Sequence, residues 1–393
     1  MMERRGRIKA LQDKMGEAGL YGVLLFYSRD IFYYTGTAQP SYLAVLPGDH
    51  RLFVRSGVDF ALNDVFIDVE KVKEERRLEN IRREFFPDCR EGTKIATETD
   101  VLTVEQWLQF KKAFPGCEFA DISPLVLEQR MAKEAGEVDC MRKACEAVHK
   151  GHEAVLANLR EGITELELSA IVENAHRLAG HEGVFFMRQP DFFMSRGPIS
   201  SGSNLFKMSG VVYTVTGVGL SASVPAGPSR KKINRGDLIM VDIPTHVEGY
   251  HADQTRTYCL GKADRAVHAM YNDLRAIADF LIREIRAGMR CDEIYRLALA
   301  KAEELGRSGQ FQSFGSGKRG RLIGHGIGLE LNEPPIPSEY DRSEIAENYV
   351  IALDIHMMDE ALGVVKLEDM ILIKKGGNEI LTKSPRELFE VGC

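Results

Sequence analysis

The sequence predicts an α+β fold in two domains, from its length, its composition and the order of its helical and strand-like segments. Its 393 residues are 44% hydrophobic and 28% charged, which is typical of a globular protein, and this length favours two domains over one. Strand-like segments become dense after residue 208 and do not alternate regularly with helices. This favours an α+β domain, preceded by a smaller α/β domain, over a regular βαβ repeat.

The smaller domain begins with an amphipathic helix near residues 4–18. Apolar strands are predicted at 22–27, 42–46 and 51–54, with a turn at Pro47-Gly-Asp between the last two. A strand at 94–97, a helix near 103–113 and a strand at 117–120 complete this unit.

The larger domain begins with a long helical pattern from about Ala135, so we place the boundary near residues 130–135. Helices are predicted near 135–158, 164–179, 264–287 and 291–305. The Gly/Ser/Pro-rich segment 196–204 is predicted to form a surface loop near the mouth of a site.

The charge and hydropathy patterns exclude several classes of partner. A net charge of -7 argues against nucleic-acid binding and against a basic membrane-binding face, and fits a small neutral or cationic substrate better. No apolar run reaches the roughly 18 residues of a membrane span, and the first residues do not have the pattern of a signal peptide. The sequence therefore predicts a cytoplasmic protein.

The seven cysteines are an odd number, and none forms a CxxC pair with a close neighbour. Free thiols in a reducing cytosol are the simplest interpretation.

Five side chains in the last 150 or so positions have the chemistry of ligands for hard divalent metal ions. They are Asp242, Asp253, His325, Asp354 and Glu368. Four carboxylates and one imidazole suit a pair of Mn, Co, Zn or Fe ions better than a lone structural zinc. Two carboxylates shared between two ions would allow a bridging water to lose its proton near neutral pH. The pattern predicts a hydrolase.

The first two aspartates are predicted to lie on a hairpin. Asp242 ends an apolar strand, and Gly249-Tyr250 would turn the chain so that Asp253 lies on the next strand. In an antiparallel pair, carboxylates at this separation can face each other and share metal ions. Arg256, close by, is interpreted as a packing or ion-pair partner of the carboxylates rather than a substrate clamp.

The other three predicted ligands have distinctive neighbours. His325 lies between glycines, which permit close backbone approach. Asp354 and Glu368 each follow apolar strand-like residues, where a buried charge needs a partner or a metal ion. For Glu368 the sequence leaves an alternative open, because Lys366 would share its strand face and could neutralise it in an ordinary ion pair.

His356 would share a strand face with Asp354. This spacing predicts a group that supports the metal ligands or an acid–base catalyst. His246 and His251 are interpreted as solvent-facing or packing residues.

Ordered motifs along nearly the whole chain resemble those of the creatinase, prolidase and methionine aminopeptidase superfamily. They are Tyr33-Tyr-Thr-Gly36, the linker 130–137, the segment 161–167, the two aspartates followed by Thr255-Arg-Thr, the segment 324–330 and the two closing strands. The resemblance implies a pita-bread catalytic domain over 133–393 and a creatinase/prolidase-like N-terminal domain over 1–132. That N-terminal domain places the chain nearest the Xaa-Pro dipeptidase/aminopeptidase P branch.

The resemblance implies that Asp242, Asp253, His325 and Glu368 are metal ligands, but Asp354 stands where the family has glutamate. The side chain is one methylene shorter, so the second of two metal sites is uncertain. Asn332 stands where the family has a histidine that contacts the substrate, and an amide cannot supply a proton near neutral pH. A second family histidine corresponds to Pro225.

The function implied is metal-dependent hydrolysis of a small peptide or amide by a metal-bridging hydroxide, with Asp354 holding or deprotonating the water. Asn332 would contact the substrate, and His356 is a candidate replacement for a missing imidazole. Two alternatives stay open: non-peptide chemistry, such as creatinase-like C–N hydrolysis or a lyase reaction, and a catalytically silent binding scaffold. The resemblance also implies a homodimer.

Overall fold

The fold is described from a computed structural model, for residues 2–192, 196–210, 214–315 and 317–392. The chain divides into two compact units between Arg130 and Met131. This division lies two residues before the predicted one.

The first unit contains a six-stranded sheet with helices around it. Its helices are Met2–Glu17 (α1), Ser28–Thr35 (α2), Val58–Asp64 (α3), Leu78–Phe85 (α4), Val104–Ala113 (α5) and Ser123–Met131 (α6), with a 3₁₀ turn at Val69–Lys71. Its strands are Gly22–Leu25 (β1), Ser41–Leu46 (β2), Asp49–Val54 (β3), Val72–Glu74 (β4), Lys94–Thr97 (β5) and Glu118–Asp121 (β6). The strand order is β4-β3-β2-β1-β5-β6, with β1 antiparallel to β2 and parallel to β5.

Cys89 and Cys117 form a disulfide in the first unit, so the prediction of free thiols is wrong for this pair. The two residues are separated by 28 positions, and the sequence therefore shows no short motif that would pair them. They meet because both belong to the apolar core beneath the sheet, beside Phe86 and Phe114. Cys140, Cys145, Cys259 and Cys291 are free and buried, and Cys393 lies outside the described residues.

The second unit contains two four-stranded sheets, a short ribbon and four long helices among its described residues. The helices are Ala135–Asn158 (α7), Glu165–Leu178 (α8), Arg265–Glu284 (α9) and Cys291–Glu304 (α10), with a 3₁₀ turn at Gly202–Phe206. The strands are Ile199–Ser201 (β7), Leu238–Asp242 (β8), Thr245–Val247 (β9), Tyr250–Ala252 (β10), Thr255–Leu260 (β11), Gly324–Gly326 (β12), Val350–Asp359 (β13), Gly363–Leu372 (β14), Glu379–Ile380 (β15) and Phe389–Val391 (β16).

The two sheets of this unit have the orders β16-β11-β8-β7 and β12-β13-β14-β15, and β9 pairs with β10 in the ribbon. Strands β13 and β14 pair over their full ten-residue lengths. Both strands are buried along their lengths. Helix α9 packs against them in an apolar core that also includes α10, and β8 and β11 contact β14. Long pairing and burial fix the register of the side chains that these strands carry.

The segment 196–204 is not the predicted surface loop. Ile199–Ser201 is buried and pairs with β8 in the sheet. One serine of this segment satisfies a buried acid instead: Ser201 donates to the Glu165 carboxylate from its backbone N–H at 2.7 Å and its hydroxyl at 2.8 Å. Small polar residues thus cap a buried carboxylate here rather than facing water.

In the part of the chain that the structure describes, every helix is too short or too polar to cross a lipid bilayer.

His152, on α7, makes the stability of the fold sensitive to acid. Its Nδ1 lies 2.7 Å from the Tyr258 hydroxyl, and burial lowers the pKa of this histidine to about 4. Because an unfolded histidine has a pKa of about 6.5, only the unfolded state takes up this proton between pH 6.5 and 4. The stability contributed by neutral His152 is therefore complete above pH 6.5 and is lost as the pH falls toward 4.

We expect His152→Gln, which retains a hydrogen-bonding side chain without the titration, to flatten the pH dependence of the unfolding free energy. The slope between pH 6.5 and 4 should decrease by up to about 1.4 kcal/mol per pH unit, measured by urea unfolding at several pH values. Parallel curves for the two proteins would contradict this account of His152.

Candidate metal centre

The five predicted ligands line one cavity in the second unit. Asn332 also lines this cavity. The remaining lining side chains are mostly apolar: Met187, Phe192, Pro198, Thr214, Thr216, Ala226, Pro244, Leu322 and Leu331. A cavity with apolar walls and polar groups at one place is typical of a small-molecule site.

Asp354 and Glu368 reach the cavity from the long strand pair. They are directly opposite each other in the β13–β14 register, where neighbouring side chains on one face lie about 5 Å apart. Because both strands are buried, a one-residue slip would place these acids on the opposite face of the sheet, which makes the register well specified.

The connection between Asp242 and Asp253 differs from the predicted hairpin. Asp242 is the last residue of β8 and is opposite Thr255 of β11, not Asp253. The β9–β10 ribbon lies between them, and Asp253 follows it in the two-residue link to β11. The prediction that Asp253 lies on a strand is therefore wrong, because the ribbon uses most of the eleven-residue separation.

The two glycines beside His325 are required by close packing. A Cβ atom at Gly324 would lie 2.3 Å from the Ala352 carbonyl oxygen, and one at Gly326 would lie 2.4 Å from the Pro334 carbonyl oxygen. Real side chains do not tolerate such distances, so glycine alone fits the backbone here. The expectation of close backbone approach is confirmed, and it lets β12 pair with β13 next to Asp354.

The His325 imidazole is oriented by its own strand. Nδ1 lies 3.0 Å from the Gly326 carbonyl oxygen, which accepts a hydrogen bond and so places the proton on Nδ1. Burial lowers the pKa of His325, so the ring is neutral near pH 7. Nε2 is left with its lone pair free to bind a metal ion.

Three of the five side chains form a compact ligand cluster. Ligand atoms of Asp253, His325 and Glu368 all lie within 4.8 Å of one another, and all three residues are buried. His325 Nε2 is 3.8 Å from Glu368 Oε1 and 4.0 Å from Asp253 Oδ2. Atoms around a central divalent ion have separations of this order, since each lies about 2 Å from the ion.

The charged forms of the buried carboxylates in this cluster would be stabilised by a cation. Burial raises the pKa of Asp253 and of Glu368 well above the usual carboxyl range, and each pKa is raised further by a neighbouring carboxylate, Asp242 and Asp253 respectively. Burial likewise raises the pKa of Asp242. A divalent cation would stabilise the charged forms that burial disfavours.

One oxygen of Asp354 is a further candidate metal ligand. Its Oδ1 is buried and has no hydrogen-bond partner in the described structure. An orphaned buried oxygen is costly unless a ligand or ion engages it. The donor set therefore fits a metal ion at Asp253, His325 and Glu368, with the Asp354 oxygen available at the same cavity.

Lys366 contacts more carboxylates than the single ion pair with Glu368 that the sequence left open. Its Nζ lies 2.5 Å from Asp242 Oδ2, 3.1 Å from Asp354 Oδ2 and 3.6 Å from Glu368 Oε2. Burial disfavours the charged ammonium, but these three carboxylates outweigh it and raise the pKa of Lys366 well above its usual value. The nearest partner is Asp242, which strand alternation alone did not indicate.

Arg256 lies beside the centre without entering it. Its guanidinium bonds Asp369 Oδ1 at 2.6 Å and the backbone carbonyl of Glu368 at 2.7 Å. This geometry agrees with the interpretation of Arg256 as an ion-pair partner. Its bond to the Glu368 backbone holds β14 at the point where the strand presents its acid to the cavity.

His356 has a different environment from the four acids and the His325 imidazole. Its Nε2 lies 2.9 Å from the Ser313 carbonyl oxygen and its ring lies against Phe314. Burial lowers its pKa to about 4. This placement does not support the predicted acid–base role, which stays a prediction. Asn332, by contrast, faces the cavity where a substrate would bind.

Two supporting groups were not predicted from the sequence. Thr255 Oγ1 donates to Glu368 Oε2 at 2.7 Å, and the backbone N–H of Gln254 donates to Asp253 Oδ1 at 3.0 Å. Both follow Asp253 directly in the chain, so the link between β10 and β11 supplies a ligand and the groups that orient two ligands. His246 and His251, taken as solvent-facing or packing, are buried.

Comparisons with known proteins identify the family of the chain. The model of metallopeptidase family M24 matches residues 139–375, and that of the creatinase/prolidase N-terminal domain matches residues 7–132. A relative named Xaa-Pro dipeptidase, from Pyrococcus furiosus, is 26% identical over 98% of this chain and 99% of its own length.

Solved structures show the same two-domain fold. An Xaa-Pro dipeptidase from Bacillus anthracis has a TM-score of 0.83 at 22% identity, covering 99% of this chain and 100% of the other. An X-Pro aminopeptidase from Thermotoga maritima has a TM-score of 0.79 at 23% identity, covering 98% and 99%. The family model spans more than half of the chain and includes the four cavity acids and the imidazole. The chain is therefore a member of metallopeptidase family M24, with a creatinase/prolidase N-terminal domain and a pita-bread catalytic domain.

Proposed function

We propose that this chain hydrolyses short peptides as an Xaa-Pro dipeptidase or aminopeptidase, using divalent metal held by Asp253, His325 and Glu368. The observation that carries the proposal is the buried three-residue ligand cluster on the wall of a cavity whose other lining side chains are mostly apolar. Relatives named as peptidases or dipeptidases that match over the full length of the chain support the reaction class.

The ligand chemistry narrows the choice of metal. Carboxylates with one imidazole are compatible with Mn, Co, Zn or Fe. When bound, such an ion supplies a Lewis acid that polarises the scissile carbonyl and lowers the pKa of water. Asp242 and Asp354 complete the predicted set of five ligands.

Asp354 and Asn332 have distinct roles in this proposal. Asp354 accepts a proton from the attacking water in this proposal; its place in the lining of the cavity and its buried, unpartnered Oδ1 support this role. The Asn332 amide lines the same cavity and donates a hydrogen bond to the substrate. The apolar walls exclude water and hold the side chains of a short peptide.

The family resemblance also supports a homodimer that works in the cytoplasm, and a substrate that carries no bulky folded part. We propose the homodimer, the cytoplasmic location and the small substrate together with the peptidase activity.

The proposal is tested with protein stripped by a chelator and reloaded with Mn²⁺ or Co²⁺. We expect metal-dependent cleavage of Ala-Pro or Gly-Pro, with slower cleavage of Ala-Ala as the matched control. Comparing Ala-Pro with the tripeptide Ala-Pro-Ala separates a dipeptidase from an aminopeptidase. Bound metal without cleavage of any peptide would overturn the proposal and favour the non-peptide chemistry.

Asn332→Ala provides a second arm of this experiment. Loss of one substrate hydrogen bond, about 0.5–1.5 kcal/mol, should lower kcat/KM by about 2- to 13-fold, with the melting temperature unchanged. Asn234→Ala, in a surface loop, serves as the control.

A further inference from the structure

Lys366 lies inside the ligand set rather than at its edge. The side chain is 1% exposed and extends from the middle of β14, on the same strand as Glu368. Its ammonium contacts oxygens of Asp242, Asp354 and Glu368, at 2.5, 3.1 and 3.6 Å. A buried cation with three carboxylate neighbours has the same surroundings as a bound metal ion would have.

The five predicted ligands are therefore divided between two cations. Asp253, His325 and Glu368 Oε1 form one group, with ligand atoms within 4.8 Å of one another. Asp242 Oδ2, Asp354 Oδ2 and Glu368 Oε2 form the other group, around the Lys366 ammonium. Glu368 belongs to both, with one carboxylate oxygen directed to each.

The two groups differ in what they can accept. The first has an imidazole nitrogen with a free lone pair, and among the described residues the lysine contacts Glu368 through its other oxygen, Oε2. The Asp354 side chain, with its unpartnered Oδ1, lines the same cavity. In the second, a metal ion bound to the same three oxygens would coincide with Lys366 Nζ. Two cations cannot share those oxygens without displacing the lysine side chain from a buried position.

We propose that the Lys366 ammonium stands in for one of the two metal ions, so that this centre holds a single divalent ion, at Asp253, His325 and Glu368. The inference rests on the proposed use of metal. The proposed centre differs from a two-ion centre in the number of ions and in the role of Asp242, which is a partner of Lys366 and not a ligand that the ion requires.

The proposal is tested by counting ions. Chelator-stripped protein is equilibrated with Mn²⁺, passed through a desalting column and analysed by mass spectrometry of the metal, with calorimetric titration of Mn²⁺ as a second readout. We expect one ion per chain for the wild type. Two ions per chain would overturn the inference, and so would none.

Two matched substitutions probe the division of ligands. Asp253→Asn should raise the Kd for Mn²⁺ by at least about 100-fold, since ligand loss exceeds the 10- to 100-fold effect of outer groups. Asp242→Asn should leave one ion per chain, with Kd changed less than about tenfold. Equal loss of binding in the two variants would contradict the proposal.

Lys366→Met tests directly whether the Lys366 ammonium takes the place of a metal ion. Two variants serve as controls: Lys366→Arg, which retains the charge, and Lys375→Met, at an exposed position. We expect the stoichiometry to rise from one to two in Lys366→Met and to stay at one in the controls. Where Lys366→Met does not fold, the Asp242 and Asp253 pair decides the question. If the wild type binds one ion per chain but cleaves no peptide, only the proposed function is contradicted. If it cleaves peptides with two ions per chain, only the inference about Lys366 is contradicted.

Discussion

Asp253→Asn is expected to lower kcat/KM for peptide hydrolysis by about 10³-fold or more. The carboxylate belongs to the cluster with His325 and Glu368, and asparagine preserves its shape while removing its charge. Lewis-acid stabilisation of the transition state amounts to several kcal/mol, and each 1.36 kcal/mol corresponds to tenfold in rate. The measurement is kcat/KM with Mn²⁺ on the peptide that the wild type cleaves best.

The fold should survive this substitution. Burial raises the pKa of Asp253 well above its usual range, which means that the metal-free protein disfavours the charged form of this carboxyl group. We expect the metal-free variant to melt at or above the wild-type temperature. Asp139→Asn, on the exposed side of α7, is the control with unchanged activity. A kcat/KM within tenfold of the wild type in Asp253→Asn would contradict the assignment of this ligand.

Arg256→Met is expected to cause the largest loss of stability, about 3–5 kcal/mol. The guanidinium is 1% exposed and pairs with Asp369 at 2.6 Å. It also donates to the backbone carbonyls of Pro385 and Ser384, at 2.7 and 2.8 Å. Methionine has similar length but removes the guanidinium donor from these backbone carbonyls and leaves buried Asp369 with only Thr382 and Arg386 as partners. This loss costs more than the pair contributes when intact.

Urea unfolding at pH 7 measures this loss. Arg283→Met is the control, because Arg283 and Glu284 form a pair that is 66% and 39% exposed, and such pairs contribute at most about 1 kcal/mol. Arg256→Lys should be intermediate, since lysine retains the charge but not the planar fork of donors. A loss below about 1 kcal/mol in Arg256→Met would contradict the role assigned to Arg256.

The elements that could be predicted from the sequence are those with strong local patterns. The helices Ala135–Asn158 and Val104–Ala113 are as predicted within a residue at each end, because apolar residues recur with helical spacing and a Thr103 capping box marks the start of the second. The glycines beside His325 were also informative, since the reason for glycine there is local crowding.

The parts that could not be predicted depend on contacts between distant residues. The separation of eleven residues between Asp242 and Asp253 fits a plain hairpin as well as the β9–β10 ribbon that the chain forms. Serine-rich Ile199–Ser201 became a buried strand because a distant acid, Glu165, accepts its hydrogen bonds. The Cys89–Cys117 bond likewise joins residues far apart in sequence.

Lys366 illustrates both the strength and the limit of pattern reasoning. Strand alternation correctly placed Lys366 on the same face as Glu368, because the two residues are two positions apart on one strand. It could not show that the ammonium lies nearest Asp242, on a strand of the other sheet. The division of five ligands between a lysine and a metal ion is a property of the folded chain.

The most direct test of the metal centre is an anomalous difference map from crystals soaked in Mn²⁺. Our account predicts one strong peak at coordination distance from Asp253, His325 Nε2 and Glu368, with the Lys366 ammonium still on Asp242. A map with no peak among those three side chains would contradict it.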